Sequence, residues 1–202
     1  NNQEYSFKTK LKNEFYNDEK IIIPQICLAT VSSYLLYQNE IHKHFNLNQL
    51  IVDEASQILE SQLLGIVANF SKFVLVGDQN QLPAITVQDP KYCVVNNDKL
   101  NSLGINDLSN SLFDRLFNRL QTKGINNNYD TLTIHYRMHN QIAGLINHYY
   151  QNKLECGTDK QKDKEPIGLL AESKFDKRVF FFDIREDRSY SKFSLKEAEF
   201  IK

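Results

Sequence analysis

Two groups of polar residues follow apolar segments that predict buried strands. DEASQ, residues 53–57, comes directly after LIV, and GDQNQLP, residues 77–83, comes directly after KFVLV. Ligand sites in parallel α/β sheets lie beyond the carboxyl ends of the strands, so both groups are placed for chemistry at one sheet edge. There Asp53 could hold Mg²⁺ through water, and Glu54 beside it could take a proton from an attacking water.

Both groups also have an ordinary structural interpretation. Asp53 and Glu54 favour the N-terminal end of a helix, and Ser56 can cap one. The segment from Gly77 can be a polar turn, in which the glycine lets the chain bend sharply. Two acidic groups at strand ends within one strand–helix–strand unit nevertheless favour a site for phosphate and Mg²⁺.

A third group, HYRMH at residues 135–139, lies between a short predicted strand and a predicted helix. The guanidinium of Arg137 is planar and always charged, which suits it to phosphate oxygens. The Tyr136 ring offers a face for a nucleotide base. The alternative interpretation is a strand-end arginine paired with a surface acid.

Hydrophobic patterning predicts the elements that must position these groups. Continuous apolar runs at residues 49–53 and 72–77 flank residues 57–68, whose apolar side chains recur at helical spacing. This pattern predicts a strand–helix–strand unit of a parallel sheet, so the fold class is α/β. The other predicted elements are strands at 25–29, 131–134 and 178–184, helices at 111–120 and 139–151, and loops over most of 84–110 and 157–166.

A domain boundary is predicted after the helix at 111–120. Ser111 and Asp114 at its start resemble a capping box, with Asp in place of Glu or Gln. The segment that follows, QTKGINNNYD at residues 121–130, is polar and rich in turn formers. We therefore expect two domains, residues 1–124 and residues 125–202.

The composition is that of a globular chain. The 202 residues are 41% hydrophobic and 24% charged, which suits one or two domains with a real core and excludes a disordered or collagen-like chain. No stretch approaches the roughly 18 apolar residues of a membrane helix, and no signal peptide is evident, so we expect no membrane partner. The net charge of −1 neither indicates nor excludes nucleic acid. Three scattered cysteines predict a reducing intracellular compartment, the cytoplasm or nucleus.

Several smaller signals favour structural roles. His42 and His44 lie in a polar stretch without further ligands nearby, so we expect solvated histidines rather than a metal site. The charged run Lys160–Lys164 is typical of a solvated loop. The apolar run at residues 180–182 favours a buried strand.

The three polar groups together resemble a known family. In order, VDEASQ, GDQNQLP and HYRMH resemble motifs II, III and IV of the superfamily 1 helicases, most of all the group that holds the nonsense-mediated-decay helicases and the replication nuclease-helicases. ICLAT resembles the motif Ic strand, and SLFDRL and NHYYQNKLECGTD resemble other flanking segments. The resemblance implies parallel-sheet, RecA-like P-loop NTPase domains, here incomplete. Residues 1–124 would be the later part of the first domain, and residues 125–202 the opening part of the second.

The resemblance implies roles for the residues that follow the first two strands. Asp53 would bind Mg²⁺ through water, and Glu54 would be the general base for ATP hydrolysis. Gln57 would couple the nucleotide site to nucleic-acid binding. Gln81 would contact the γ-phosphate and sense hydrolysis, and Asp78 would support its loop.

Further roles are implied for residues outside those two groups. Arg137 matches the arginine finger that reaches across from the second RecA-like domain. Tyr136 would lie near the base or ribose, and His135 beside it belongs to the same nucleotide-binding motif. Thr30 matches a motif Ic position that contacts the nucleic-acid backbone, and Pro83 lies where the family approaches a base.

Two positions depart from the family pattern. His135 stands where the family usually has Gln, and Asn140 stands where it usually has Pro. His135 can still donate a hydrogen bond, and Asn140 can cap the following helix.

Other family motifs are missing from these 202 residues. No GxxxxGK[ST] loop is present to cradle phosphates, and neither are motifs V and VI. The chain begins at Asn1 and its one methionine is Met138. We therefore expect a piece of a longer helicase that does not hydrolyse ATP by itself.

The parent is expected to be an ATP-dependent helicase or translocase that acts on single-stranded nucleic acid, DNA in preference to RNA, in the 5′ to 3′ direction and as a monomer. An alternative is a catalytically inactive relative that binds nucleic acid or a partner. A third hypothesis is a different P-loop ATPase of the transporter or switch type, against which the HYRMH segment argues.

Overall fold

The computed structural model describes residues 16–17, 20–21, 25–162, 178–179, 181–184 and 194–201. The chain divides into two compact units, the first spanning Asn1–Asp130 and the second Thr131–Lys202. Within the described ranges, no helix combines the length and the apolar character that crossing a membrane requires.

A parallel strand–helix–strand unit lies at the centre of the first unit. Its described strands are β1 (Tyr16–Asn17), β2 (Lys20–Ile21), β3 (Gln49–Val52) and β4 (Lys72–Leu75). Its described α-helices are α1 (Val31–His44), α2 (Glu60–Val67), α3 (Asp98–Ser102) and α4 (Leu112–Thr122), with 3₁₀ helices at Ala55–Gln57 and Pro90–Tyr92. β3 and β4 pair in parallel, with Val52 opposite Leu75. Parallel strands need a crossover connection, which here contains α2, and the α/β fold class is confirmed.

The core of the first unit packs α1, α2 and α4 against β3. Leu63 and Ile66 of α2 are buried three residues apart, as the helical spacing predicts. Burial of each such side chain stabilises the fold by about 1.5–3 kcal/mol. The buried core residues are Tyr34, Ile41, Phe45, Val52, Ala55, Leu63, Ile66 and Leu112.

A nearly buried ion pair joins α2 to α4. The Arg115 Nε donates to both carboxylate oxygens of Glu60, at 2.9 and 2.8 Å, and Nη1 donates to the Leu103 carbonyl at 3.0 Å. Glu60 is only 7% exposed. A buried carboxylate is costly without a partner, so Glu60 requires Arg115 where α2 packs against α4.

The start of α4 agrees with its predicted cap. Ser111 Oγ accepts from the Asp114 N–H at 3.0 Å and donates to Asp114 Oδ2 at 2.7 Å. The acid therefore meets the serine hydroxyl rather than the backbone N–H of a full capping box. Such a cap contributes about 0.5–2 kcal/mol of stability.

The strand predicted at residues 25–29 is wrong. This segment has no regular structure, and Ile26 and Leu28 are 77% and 93% exposed. The sequence pattern also missed α1, which Thr30 begins as N-cap and which buries Tyr34 and Ile41. Those two residues are one heptad apart, a spacing that could have revealed the helix.

His42 is half-buried among aromatic side chains, whereas the sequence predicts a solvated histidine. Its Nε2 lies 2.6 Å from the Tyr34 hydroxyl, and its ring centroid lies 5.4 Å from that of Phe70. Burial raises the pKa of the Tyr34 phenol, which keeps the proton available to this contact. His44 is exposed, and its Nε2 lies 3.7 Å from a Glu40 carboxylate oxygen.

The second unit repeats a parallel arrangement on a smaller scale. Its described elements are β5 (Ile134–His135), α5 (Asn140–Ile146), β6 (Glu155–Cys156) and α6 (Leu195–Ile201), with 3₁₀ helices at Asn147–Tyr150 and Asp159–Lys162. β5 and β6 pair in parallel, with His135 opposite Cys156. The α5 cap is His139, whose Nδ1 accepts from the Gln141 N–H at 3.2 Å. The prediction that Asn140 caps this helix is therefore wrong by one residue.

Two further predictions for the second unit differ from the structure. The helix predicted over 139–151 is α-helical only as far as Ile146. A 3₁₀ helix follows at Asn147–Tyr150, and Gln151 ends it in the left-handed conformation. The strand predicted at 178–184 is absent at 178–179 and 181–184, the described part of that segment, and Phe181 is 92% exposed. Phe180 lies outside the described residues. An apolar run forms a strand only where a neighbouring strand pairs with its backbone.

Candidate functional site

The loops that follow β3 and β4 lie side by side. The ladder continues past the strands, because Val76 N–H donates to the Val52 carbonyl and Ala55 N–H donates to the Val76 carbonyl, both at 2.8 Å. Beyond it, the Asp78 N–H donates to Ser56 Oγ at 3.2 Å. Ala55 and Ser56 are buried, so these bonds are shielded from water. The structure thus brings the DEASQ and GDQNQLP groups together at one edge.

Gly77 is required by close approach rather than by a sharp turn. A Cβ at this position would lie 2.9 Å from Ser56 N and 3.2 Å from Phe113 Cδ2. Its φ is not among the positive values of the described glycines. Because any larger residue would push the two loops apart, this glycine keeps Ser56 within reach of Asp78.

Asp53 and Glu54 are exposed at the end of β3. Glu54 is left-handed, with φ 53° and ψ 36°, a conformation that costs a non-glycine residue about 1 kcal/mol or more. Its N–H donates to Asp53 Oδ1 at 3.0 Å, and its Oε2 accepts from Gln57 Nε2 at 3.0 Å. Gln57 therefore orients the Glu54 carboxylate, while Ala55 and Ser56 anchor the backbone beneath it.

Asp78 organises the loop after β4. Its Oδ1 accepts from the Asn80 N–H and its Oδ2 accepts from Gln81 Nε2, both at 2.9 Å. The Gln81 N–H also donates to the Asp78 carbonyl at 3.2 Å. Gln81 and Pro83 are exposed on this loop. Asp78 thus holds the Gln81 amide, for which the family resemblance implies a phosphate contact.

Thr30 lies apart from these contacts, at the start of α1. Its hydroxyl accepts from the Ser33 N–H at 3.2 Å and donates to Ser33 Oγ at 2.9 Å. These bonds cap the helix and do not reach the loops after β3 and β4. The side chain is exposed, so the cap does not remove it from solvent.

In the second unit, the loop after β5 carries the remaining predicted residues. Tyr136 and Arg137 are exposed. The Tyr136 ring lies directly over Gly157, where an added Cβ would collide with the ring. The His135 ring stands between Gln161 Nε2, 3.1 Å from its Nδ1, and Cys156 Sγ, 3.7 Å from its Nε2.

Gln161 is the residue of this unit that sequence reasoning missed. Its Nε2 donates to the carbonyls of His135 and Met138, at 3.0 and 2.9 Å, and it is only 8% exposed. It belongs to the run Lys160–Lys164, predicted to be a solvated loop; Lys160 and Lys162 are exposed as predicted, but residues 159–162 form a 3₁₀ helix whose Gln161 is buried. An uncharged amide within a charged run was its only sequence signal.

Comparison with known proteins identifies the family. Two models, each described as an AAA domain, match residues 1–89 and 108–201. The DNA replication ATP-dependent helicase/nuclease DNA2 of Bos taurus is 36% identical over 151 residues, 74% of this chain and 12% of the relative. Its Gallus gallus counterpart is 35% identical over 148 residues, 73% of this chain and 12% of the relative. The chain belongs to the superfamily 1 helicases.

Within that superfamily, the chain is of the type that holds the nonsense-mediated-decay helicases and the replication nuclease-helicases. Its α/β architecture is an incomplete RecA-like fold. An ATP-dependent helicase of Methanocaldococcus jannaschii, itself uncharacterised, is 24% identical over 168 residues, 83% of this chain and 21% of that relative. The chain spans about an eighth of the length of the DNA2 relatives.

The exposed carboxylates after β3 are donors of the kind that fit Mg²⁺ bound together with a nucleotide. Mg²⁺ is commonly held by one or two carboxylates together with substrate phosphates and water. Asp53 offers such a carboxylate, exposed at the end of β3. No group of three or more His, Cys, Asp or Glu side chains among the described residues could hold a metal by itself.

Proposed function

We propose that this chain carries part of the ATP-hydrolysing machinery of an ATP-dependent superfamily 1 helicase or translocase. The observation that carries the proposal is the juxtaposition of two strand-end loops, with Asp53 and Glu54 on one and Asp78 and Gln81 on the other. In a parallel sheet this edge is where a ligand binds. The helicase relatives support ATP as that ligand.

In this proposal, Glu54 is the general base that takes a proton from the attacking water. The Gln57 amide donates to Glu54 Oε2 and so restrains the carboxylate. Gln57 would thereby link the base to the nucleic-acid site. Gln81, held by Asp78, would contact the γ-phosphate and report its loss.

Asp53 would hold the Mg²⁺ through water. The bound ion would supply positive charge to the phosphate oxygens. The hydrogen bond from the Glu54 N–H to Asp53 Oδ1 fixes the carboxylate without neutralising it. Asp53 would thus bind the cation, and Glu54 would accept the proton.

Arg137 would act as the arginine finger, an effect worth about 10³–10⁵ in kcat in phosphoryl transfer. Its guanidinium remains charged at any working pH and can bind phosphate oxygens with two N–H groups. Tyr136 would lie against the base or ribose, with His135 completing the motif. Residues 1–124 and 125–202 would belong to the first and second RecA-like domains.

Single-stranded nucleic acid is the proposed substrate track, with 5′ to 3′ movement by a monomer. Thr30 would contact its backbone and Pro83 would approach a base. DNA is preferred to RNA because the DNA2 relatives are named for DNA replication. A phosphate loop and motifs V and VI would be supplied by a longer parent, so the 202-residue chain alone is expected to be inactive.

The test is ATPase activity of the longest natural protein that carries this chain, with and without single-stranded DNA or RNA. We expect strand-stimulated turnover in the wild type and about 10²–10⁴-fold less in Glu54→Gln. Glu197→Gln, an exposed carboxylate of α6, is the matched control and should leave turnover unchanged. A wild type that binds strands but hydrolyses no ATP would instead establish the inactive binding relative.

A further inference from the structure

We propose that Gln161 is a positioning residue that holds the loop bearing Tyr136 and Arg137. This inference rests on the proposed function of Arg137. The Gln161 Nε2 donates to the carbonyls of His135 and Met138, the residues on either side of the Tyr136–Arg137 pair. One buried amide therefore closes the loop across its base and leaves the two functional side chains at its exposed tip.

The orientation of the Gln161 amide is determined by its partners. Its Oε1 accepts from the Thr158 N–H at 2.9 Å and from Thr158 Oγ1 at 3.1 Å. A backbone N–H cannot accept, and the two loop carbonyls cannot donate, so the amide oxygen and nitrogen cannot exchange places. Gln161 is thus a rigid connector between the segment after β6 and the loop after β5.

The same amide also lies against the His135 ring. Its Nε2 is 3.1 Å from His135 Nδ1, and His135 Nε2 faces Cys156 Sγ at 3.7 Å. His135 is held from both sides, and its carbonyl also accepts from the Gly157 N–H at 2.9 Å.

The geometry of this loop matters because an arginine finger acts only when it is correctly placed. A misplacement of about 1 Å can cost about 10²-fold in rate. Arg137 is itself exposed, so its placement depends on the backbone beneath it. Gln161 holds that backbone in place through its hydrogen bonds to the His135 and Met138 carbonyls, and does not itself contact a nucleotide.

The test is a double-mutant cycle in the longest natural protein that carries this chain. We expect Gln161→Leu to lower strand-stimulated kcat about 10²-fold with the KM for ATP changed less than about threefold. In an Arg137→Ala background the same change should cause no further loss, since Gln161 acts through Arg137. Lys160→Ala, exposed on the same 3₁₀ helix, is the control and should leave kcat unchanged. Additive losses in the double variant would overturn the proposal.

Two further measurements keep the outcome independent of activity and of misfolding. Amide hydrogen exchange at Gly157, whose N–H donates to the His135 carbonyl, should accelerate in Gln161→Leu as the loop loosens. Gln161→Glu keeps the acceptor for Thr158 but removes both donors, so it should reproduce this change while the rest of the unit keeps its exchange protection. Unchanged exchange in both variants would overturn the proposed hold. An inactive wild type with accelerated Gly157 exchange in the variants would instead overturn the ATPase function alone.

Discussion

The loops after β3 and β5 present charged residues in the same way but are held by different means. Each follows a parallel strand and leaves its functional side chains exposed. The first is secured by a continued backbone ladder and by hydrogen bonds among residues close in sequence. The second is closed by the side chain of Gln161, 26 positions from His135. Backbone pairing between two parallel strands therefore holds the first loop, whereas a single side chain closes the second.

Arg137→Ala, in the second loop, should lower activity more than any other single substitution in this series. If Arg137 is the finger, strand-stimulated kcat should fall by about 10³–10⁵ while ATP binding persists, because the lost contact is made in the transition state. Arg137→Lys should also be strongly impaired, since lysine keeps the charge but not the planar fork. Steady-state kinetics and nucleotide binding measure the two effects. Lys153→Ala, an exposed cation of the same unit, is the control, and a kcat within threefold of wild type for Arg137→Ala would contradict the assignment.

Arg115→Met tests the support beneath the first loop. It leaves Glu60 buried without its partner, so the free energy of unfolding should fall by about 3–5 kcal/mol. Replacing both residues, as Glu60→Leu with Arg115→Met, should recover most of that loss because no charge is then left buried. Denaturant titration of the two variants provides the comparison. Equal losses in the single and double variants would mean that packing, rather than the ion pair, joins α2 to α4.

Gly77→Ala tests whether the first loop depends on backbone proximity. The added Cβ would collide with Ser56 N, so we expect about 1–3 kcal/mol of destabilisation and reduced ATPase activity. Gly65→Ala in α2 is the matched control, because nothing lies within 4 Å of its added Cβ. That change should stabilise the protein by about 0.4–1 kcal/mol. Opposite signs in thermal unfolding would support close approach as the role of Gly77.

Ser56→Ala should have the smallest effect of the series. It removes one hydrogen bond to the Asp78 N–H, worth about 0.5–1.5 kcal/mol, while the backbone ladder between Val52, Ala55 and Val76 remains. Ser61→Ala, exposed on α2, serves as control. If Ser56→Ala released the amides of residues 53–57 to rapid exchange, the first loop would depend on one side chain as the second does, and the contrast between them would fail.

Several elements were predictable because their causes are local. The apolar runs and helical spacing of residues 49–77 identified β3, α2 and β4, and Ser111 marked the start of α4. Other elements were not, because a partner decides them. Residues 25–29 and the described part of 178–184 have apolar sequences but no regular strand. An apolar pattern indicates that a segment could form a strand, but it does not show whether a neighbouring strand is present to pair with it.

The sequence by itself determined the α/β class, the strand-end acidic groups and the family, because residue type, order and spacing encode them. Tertiary structure decided how the groups are held. Gly77 is small because Ser56 lies against it, His42 meets Tyr34 and Phe70, and Gln161 spans the loop of Arg137. These contacts join residues far apart along the chain. Their geometry arises only when helices and strands pack, since a hydrogen bond needs both partners within about 3 Å whatever their separation in sequence.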